Sequence, residues 1–360
     1  MPQQQKRQLL PFRFNTRQRM QQVANIAISL GNQVSQELPR VGFLAGIMLT
    51  VNATVTLSAA STLALGAPWN LLKRIKVNIN TGASSIVDLS GVGLYQVNDR
   101  MIRSAYDPTN AGLTNAATAI GANTWTMSLY IPIAMNNEQQ FAIGLINLQA
   151  PEVRCTLDIT FATAGTELVA GNFTSVTGTV NVSYLYYELP NPNEVLYPPL
   201  VLHRLLEDRQ AITAVGDQVY TFPRGGTILG LHHLVTINGH YSIPSAQPGV
   251  TGVGEIDSLR LVLNKTDTVY SLPARAHALW QALNKGMGAA IGGALSNAGI
   301  GWEYNFLEAG VGRIGEGDFR DTFNSEAIST LESILTVNSG AVLGAANYLD
   351  SIRRIVQVLQ

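Results

Sequence analysis

The sequence predicts an all-β protein of two sandwiches in tandem, and three observations predict it. Five segments of the first half alternate apolar and polar residues with a period of two, as antiparallel strands with one face on a core do. The stretches between them are rich in Gly, Asn, Thr and Ser, which supply turns. A stiff segment, Leu189–Pro199, reads LPNPNEVLYPP and separates two parts that are each long enough to own a core. Its prolines fix φ, remove backbone donors and push their predecessors toward extended backbone, so it is a connector and neither helix nor central strand. The expected division is an arm over 1–36, a first sandwich over 37–188, the linker over 189–199 and a second sandwich over 200–360.

The arm differs from everything after it. Five of the 23 basic residues, Lys6, Arg7, Arg13, Arg17 and Arg19, and none of the 24 acids fall in 1–36, so the remaining 18 bases face all 24 acids. Residues 1–15 are Gln-rich with Pro2 and Pro11. From Thr16 onward Met20, Val23, Ala24, Ile26, Ala27 and Leu30 form an apolar stripe at helical spacing, which predicts a basic amphipathic helix. Such a helix suits an anionic surface, lipid head groups or nucleic acid, and equally suits packing on its own or a neighbouring subunit. Five cations support only nonspecific electrostatics.

The strand pattern then begins. Ile47, Leu49, Val51, Ala53, Val55 and Leu57 alternate with Met48, Thr50, Asn52, Thr54 and Thr56. Four further runs follow, at Ile75–Ile79, Trp125–Ile133, Val153–Phe161 and Val180–Tyr186. Residues 41–72 lack charge, but the alternation there describes a strand and not a membrane helix. Leu89–Ser104 has looser, helical spacing and predicts a short helix. In the second half, Val219–Phe222, Ile228–Ile237 and Leu259–Leu263 read as strands. Ser271–Lys285 reads as a helix, with Ser271 as cap, Pro273 in the first turn, a stripe of Ala276, Leu279, Trp280 and Leu283, and Gly286 as stop. Gly286–Gly301 is Gly/Ala-rich, uncharged and too short to span a bilayer, and reads as a long loop packed in an assembly. By spacing alone Ile328, Leu331, Ile334 and Leu335 fit a helix, as do Ile352, Ile355, Val356 and Leu359.

Charged residues make up 13% of the chain, about half the usual ~25%, and the net charge is −1. An uncharged polar surface near neutrality favours association over solitary solubility. The single cysteine, Cys155, forbids an intramolecular disulfide and sits at an inward strand position. No secretory leader pattern opens the sequence. The sequons at Asn52, Asn172, Asn181 and Asn264 reflect a composition rich in these residues. Adjacent His232 and His233 would point to opposite faces of a strand, and His232 and His240 have no Cys or paired acids at ligand spacing, so no metal site is predicted. The acids Glu303, Glu308, Glu316, Asp318 and Asp321 lack the alternating oxygens of a calcium loop. No nucleophile elbow, zinc-protease helix, phosphate loop or paired carboxylates occur. The sequence supports no enzyme, no catalytic residue and no cofactor.

Taken together, the pattern resembles the double jelly-roll major capsid proteins of the tectivirus-like (PRD1–adenovirus) lineage of membrane-containing viruses. Gly42–Leu57 followed by Leu65–Asn80 (LGAPWNLLKRIKVNIN) looks like that family's opening strand pair with its PxNLhxRI-type turn. Ser90–Asn98 occupies the place of its short helix, and Ser128–Ala134 and Pro151–Ala162 look like its central strands. The likeness covers residues 40–190, while the second half follows by layout. It implies two tandem eight-stranded jelly-roll sandwiches with a few short helices and an N-terminal amphipathic helix. It also implies strands at Leu331–Val337 and Tyr348–Leu359, against their helical spacing.

For function, the resemblance implies a structural virion protein, as in a bacteriophage, made in the host cytoplasm. Pseudo-hexagonal homotrimers would tile an icosahedral shell over an internal membrane. The implied partners are other copies, penton and minor capsid proteins, and anionic lipid through Lys6, Arg7, Arg13, Arg17 and Arg19, with no specific nucleic acid. The Ser242–Glu255 loop and the Ser271–Gly317 insertion are the expected outward towers. The alternative is a carbohydrate- or receptor-binding viral spike, for which Tyr186–Tyr187 and Trp302–Tyr304 are the candidate contacts.

Overall fold

A computed structural model describes residues 16–80, 84–101, 116–134, 144–188, 201–242, 255–277, 302–305 and 322–358. Its contacts divide the chain into two units. Strands β1 to β9 lie in the first, and β10 from Leu205 through β19 to Gln357 in the second. The linker Leu189–Pro199, the arm residues 1–15 and Gly286–Gly301 lie outside the described residues, as does most of the two expected tower loops.

The first unit holds β1 (Arg17–Ala27), β2 (Gln33–Glu37), β3 (Phe43–Leu57), β4 (Leu72–Ile79), β5 (Ser84–Leu89), β6 (Gly121–Pro132), β7 (Ile146–Asn147), β8 (Cys155–Phe161) and β9 (Phe173–Glu188). One sheet runs β1-β9-β3-β6, with β7 on β3, and the other includes β5-β4-β8-β2. The pairs β1–β9, β2–β8, β3–β6 and β4–β5 are all antiparallel neighbours. That is one long antiparallel ribbon of four strand pairs. Rolled up, it brings β9 against β3 and β8 against β4. This is the topology of a jelly roll.

The core follows from the alternation. Ile47, Leu49, Val51, Val55, Leu157, Ile159 and Phe161 are completely buried. Gly178 adopts a φ of +140°, and a Cβ there would run into the Asn52 carbonyl oxygen of the neighbouring strand. The helix expected within Leu89–Ser104 is α1 (Gly91–Met101). The Ser90 hydroxyl accepts from the Gly93 N–H, and Tyr95 stacks on Trp69 of the PWNLLKRI segment with ring centroids 4.3 Å apart.

The N-terminal amphipathic helix is corrected: Arg17–Ala27 is strand β1. Its register on β9 runs from Arg17 opposite Glu188 to Ala27 opposite Thr179. Ala24 and Ile26 share the inward face with Val182 and Val180, while Met20, opposite Leu185, is 56% exposed. An outward apolar residue thus mimicked a helical stripe. The long strand β9 needs a hydrogen-bonding neighbour along its free side, and β1 supplies it. Strands β1 and β2, within the expected arm, are therefore two of the roll's eight strands.

The second unit repeats the plan. It holds β10 (Val201–Ala211) from Leu205 on, β11 (Gly216–Thr221), β12 (Thr227–Ile237), β13 (His240–Tyr241), β14 (Ile256–Leu263), β15 (Asp267–Pro273), β16 (Trp302–Asn305), β17 (Phe323–Asn324), β18 (Leu331–Val337) and β19 (Tyr348–Val358) up to Gln357. One sheet includes β12-β19-β10, with β13, β16 and β17 on β12, and the other is β11-β18-β14-β15. The ribbon pairs are now β10–β19, β11–β18, β12–β16 and β14–β15, so the roll is the same. Both strands expected near the C-terminus are present as β18 and β19.

The helix expected from Ser271 is also corrected. Ser271 and Pro273 close the edge strand β15, and helical backbone spans 274–277, beyond which the residues are not described. Ser271 pairs with Arg260 and Pro273 with Ser258, so the ladder on β14 takes the residues that resemble a cap and a first turn.

Candidate assembly surfaces

The groups that could carry chemistry serve the core. His233 is fully buried; its Nδ1 lies 2.8 Å from the Ser351 hydroxyl and its Nε2 2.9 Å from the Ser333 hydroxyl. Burial pushes its pKa down to about 3, so the ring is neutral. It braces β12 to its neighbour β19 and to β18 of the facing sheet. His240 lies 2.8 Å from Glu255, the His277 ring meets the Tyr270 hydroxyl, and His203 Nδ1 lies 3.3 Å from the Ile133 carbonyl. Burial pushes the Cys155 thiol up to about 12. Among the described residues no three His, Cys, Asp or Glu are grouped to hold a metal, and no helix is long and apolar enough to cross a membrane.

Ion pairs tie β10 to β19. Arg353 donates from Nε at 2.9 Å and Nη2 at 2.5 Å to Asp208, which also accepts from Tyr220. Arg209 grips Asp350 through Nε at 2.6 Å and Nη2 at 2.8 Å, and lies 3.8 Å over the Tyr348 ring. Burial works against the Arg209 charge, but the Asp350 carboxylate holds its pKa above the ordinary value.

Of the predicted N-terminal cations, Lys6, Arg7 and Arg13 fall outside the described residues. Arg17 and Arg19 sit exposed on β1, and Arg19 Nε donates to Glu188 at 3.0 Å. The candidate spike contacts lie inside: Trp302 and Tyr304 on β16 are 0% and 1% exposed, and Tyr186 and Tyr187 are buried.

The chain's outer faces are more informative. On β1-β9-β3-β6 the outward residues form cross-strand rows. Thr124, Thr54 and Thr177 make one; Thr126, Asn52, Thr179 and Ala27 the next; Ser128, Thr50, Asn181 and Asn25 the next; then Tyr130, Met48, Ser183 and Gln22. None carries a charge. The outward rows of β5-β4-β8-β2 read Asp88, Lys76, Asp158 and Ser35, flanked by Ser85, Asn78, Thr156 and Glu37 and by Arg74, Thr160 and Gln33. Here Arg74 donates to Asp88 at 2.5 Å, Asn78 to Asp158 at 2.7 Å and Arg154 to Glu37 at 2.9 Å. The Arg154 guanidinium holds the Glu37 carboxyl below its ordinary pKa.

A third face, on β11-β18-β14-β15, combines exposed valines with a closed polar ladder. Val219 lies opposite Ile334 and Thr221 opposite Glu332, and Val219 and Val269 are 45% and 37% exposed. Ser258 donates to Thr336 at 2.9 Å, Thr336 to Asp217 at 2.7 Å, and Arg260 also donates to Asp217. The Thr336 hydroxyl, helped by Arg260 and opposed by burial, holds Asp217 below its ordinary pKa.

Comparison with known proteins adds the last observation. No family model matches the chain, and no curated protein does. Solved structures match over nearly its whole length. A chain in the atomic structure of Sulfolobus Turreted Icosahedral Virus aligns with a TM-score of 0.66 at 13% identity, covering 95% of this chain and 91% of that one. A chain of the PBCV-1 virus capsid gives 0.64 at 15%, covering 95% and 94%. The major capsid protein from bacteriophage PM2 gives 0.53 at 11%, covering 96% and 98%.

The fold is the double jelly roll. At these identities the likeness is one of architecture, and the double jelly roll here is complete: each roll keeps its four ribbon pairs. Sequence reasoning missed the uncharged face as a unit. Its β3 residues were legible as Thr50, Asn52, Thr54 and Thr56, but only the register gathers four strands into one surface.

Proposed function

We infer that this chain is a structural major capsid protein of an icosahedral virion. The observation that carries the reading is the repetition of one eight-strand roll twice in a single chain, in the architecture shared end to end with virus capsid proteins. Its function then lies in contacts between copies and not in a pocket. Buried histidines used as braces and paired surface carboxylates agree with a non-enzymatic role. Three chains, each with two rolls, form the pseudo-hexagonal capsomer, and penton and minor proteins fill the remaining positions of the shell.

The basic residues that precede the first roll face the inner surface, over an internal membrane. Arg19 is engaged by Glu188 and Arg17 lies within β1, so Lys6, Arg7 and Arg13 carry most of the attraction to anionic lipid. The truncation that tests this ends at Asn15, because a cut at residue 36 would delete β1 and β2. Light scattering at moderate salt is expected to give a trimer for both chains, three times 38.7 kDa for the full chain and correspondingly less for the chain lacking 1–15. Only the full chain is expected to bind vesicles containing anionic lipid. A monomeric full chain would overturn the capsomer reading, and equal vesicle binding by both chains would overturn the role of the arm.

A further inference from the structure

We propose that a cavity at one end of the second roll receives the C-terminal residue of an extended peptide from a partner polypeptide, with its apolar side chain inside and its carboxylate on Arg224. The inference goes beyond the capsomer reading, which gives this cavity no role. The cavity has a volume of about 160 Å³ and lies where β11 ends and β18 begins. Its floor is the tip of the roll's core: Phe222 and Leu331 are buried, and Ile328 packs against the same cluster. A cavity of ~150 Å³ lined by such side chains takes a benzene ring, so this one takes a leucine-sized group.

The walls are held by the chain itself. The Ser325 hydroxyl accepts from the Gly225 N–H at 2.9 Å and donates to the Gly226 carbonyl at 2.7 Å. The Ser329 N–H and hydroxyl both donate to Asn264 Oδ1 at 2.8 Å. A site already fixed in this way needs little ordering when it binds.

Charge selects the ligand. Arg209, Arg260 and Arg353 of this roll each hold a carboxylate. Arg224 lines the cavity and donates from Nη2, at 2.8 Å, to the Ser329 carbonyl, which leaves most of its N–H donors without a partner among the described residues. A carbonyl supplies no counter-charge, and among the described residues no acid lines the cavity. Thr330 lines it too, and its hydroxyl is buried with no hydrogen-bond partner among the described residues. One carboxylate can satisfy both groups.

Spacing decides where that carboxylate comes from. Arg224 and the apolar floor share one small cavity, so the acid and the apolar group belong to a single residue. A chain terminus carries both on one Cα. An internal Asp or Glu ends in its carboxylate and brings no branched apolar group.

The test titrates N-acetyl-leucine into the full chain at neutral pH, with N-acetyl-leucinamide and inorganic phosphate as controls, read by ligand-observed NMR. The acid is expected to bind saturably with a Kd on the order of 1 mM, the amide about tenfold more weakly, and phosphate not at all. Arg224→Gln, an exposed substitution, is expected to bring the acid to the level of the amide, whose binding it leaves unchanged. The three probes on the wild-type chain decide the matter even if that variant fails to fold. Equal binding of acid and amide, phosphate binding as well as the acid, or no saturable binding would each overturn the proposal, as would a folded Arg224→Gln that binds the acid normally. None of these results changes the mass of the particle, which tests the capsomer reading separately.

Discussion

Two outer faces of the first roll grow from the same kind of strand and end up chemically opposite. On β3 and β6 the residues between core positions are Thr, Asn and Ser, with Met48 and Tyr130 in one row, while on β4 and β8 they include Arg74, Lys76 and Asp158. Behind both, the core is alike: Val51 and Leu49 on one side and Leu157 and Val77 on the other are fully buried. Folding demands only the inward half of each alternation, so the outward half is free to record what each face meets. One face is paired within itself by salt bridges, which suits water. The other holds back its hydroxyls and amides without any net field.

Three experiments sharpen that contrast. The largest effect lies in the shared core and should show no contrast at all: Val51→Ala and Leu157→Ala both lose buried volume. Leu157→Ala is expected to cost ~2–5 kcal/mol and Val51→Ala somewhat less, read from urea midpoints. If only one of them destabilised the chain, the two sheets would not be sharing one core.

A smaller effect separates the faces. Asn78 is 7% exposed and donates to Asp158 while accepting from Ser85 at 2.6 Å. Asn78→Ala is expected to cost about 1–3 kcal/mol by stranding these partners. Thr126→Ala, an outward site without such a network, is expected to stay within about 0.5 kcal/mol in the dissociated chain.

The smallest effect is acid sensitivity. Glu37 is held below its ordinary 4.5 by the hydrogen bond and charge of Arg154. Glu167 is also low, because Lys73 and the Thr163 N–H outweigh the burial that opposes them. A depressed carboxyl stabilises the fold above its unfolded pKa and loses that contribution as pH falls through the folded value. Both contributions are therefore present at neutral pH and fade below about pH 4.5. The variant Glu37→Gln with Glu167→Gln should show a shallower fall in thermal midpoint from pH 6 to 3.5. Substitutions within the uncharged rows should leave the slope unchanged.

The same contrast explains what could be read from sequence. Strand β3 was legible over Ile47–Leu57, where every inward residue is apolar and every outward one except Met48 is polar. Strands β1 and β18 were obscured by Met20 and Ile334, apolar residues on outward positions that shift the apparent period toward a helix. The His233 brace was invisible because its partners, Ser333 and Ser351, lie 100 and 118 residues away, and spacing rules reach only local neighbours. The strand order of the second roll needed the pairings of β18 and β19, whose composition alone favours neither helix nor strand.

The pairing of β1 with β9 also sets a clock. Arg17 meets Glu188, so the first strand made must wait for the last of its roll. At ~5–20 residues per second the ribosome takes roughly 10–35 s to deliver that partner. Throughout that wait β1 is a solitary strand, exposed to every other nascent chain on the polysome. Its sequence, RQRMQQVANIA, is short of the apolar runs that drive strands to aggregate and is rich in glutamine and arginine. The same basic, glutamine-rich composition that sets this segment apart in the sequence keeps it soluble until the roll can close.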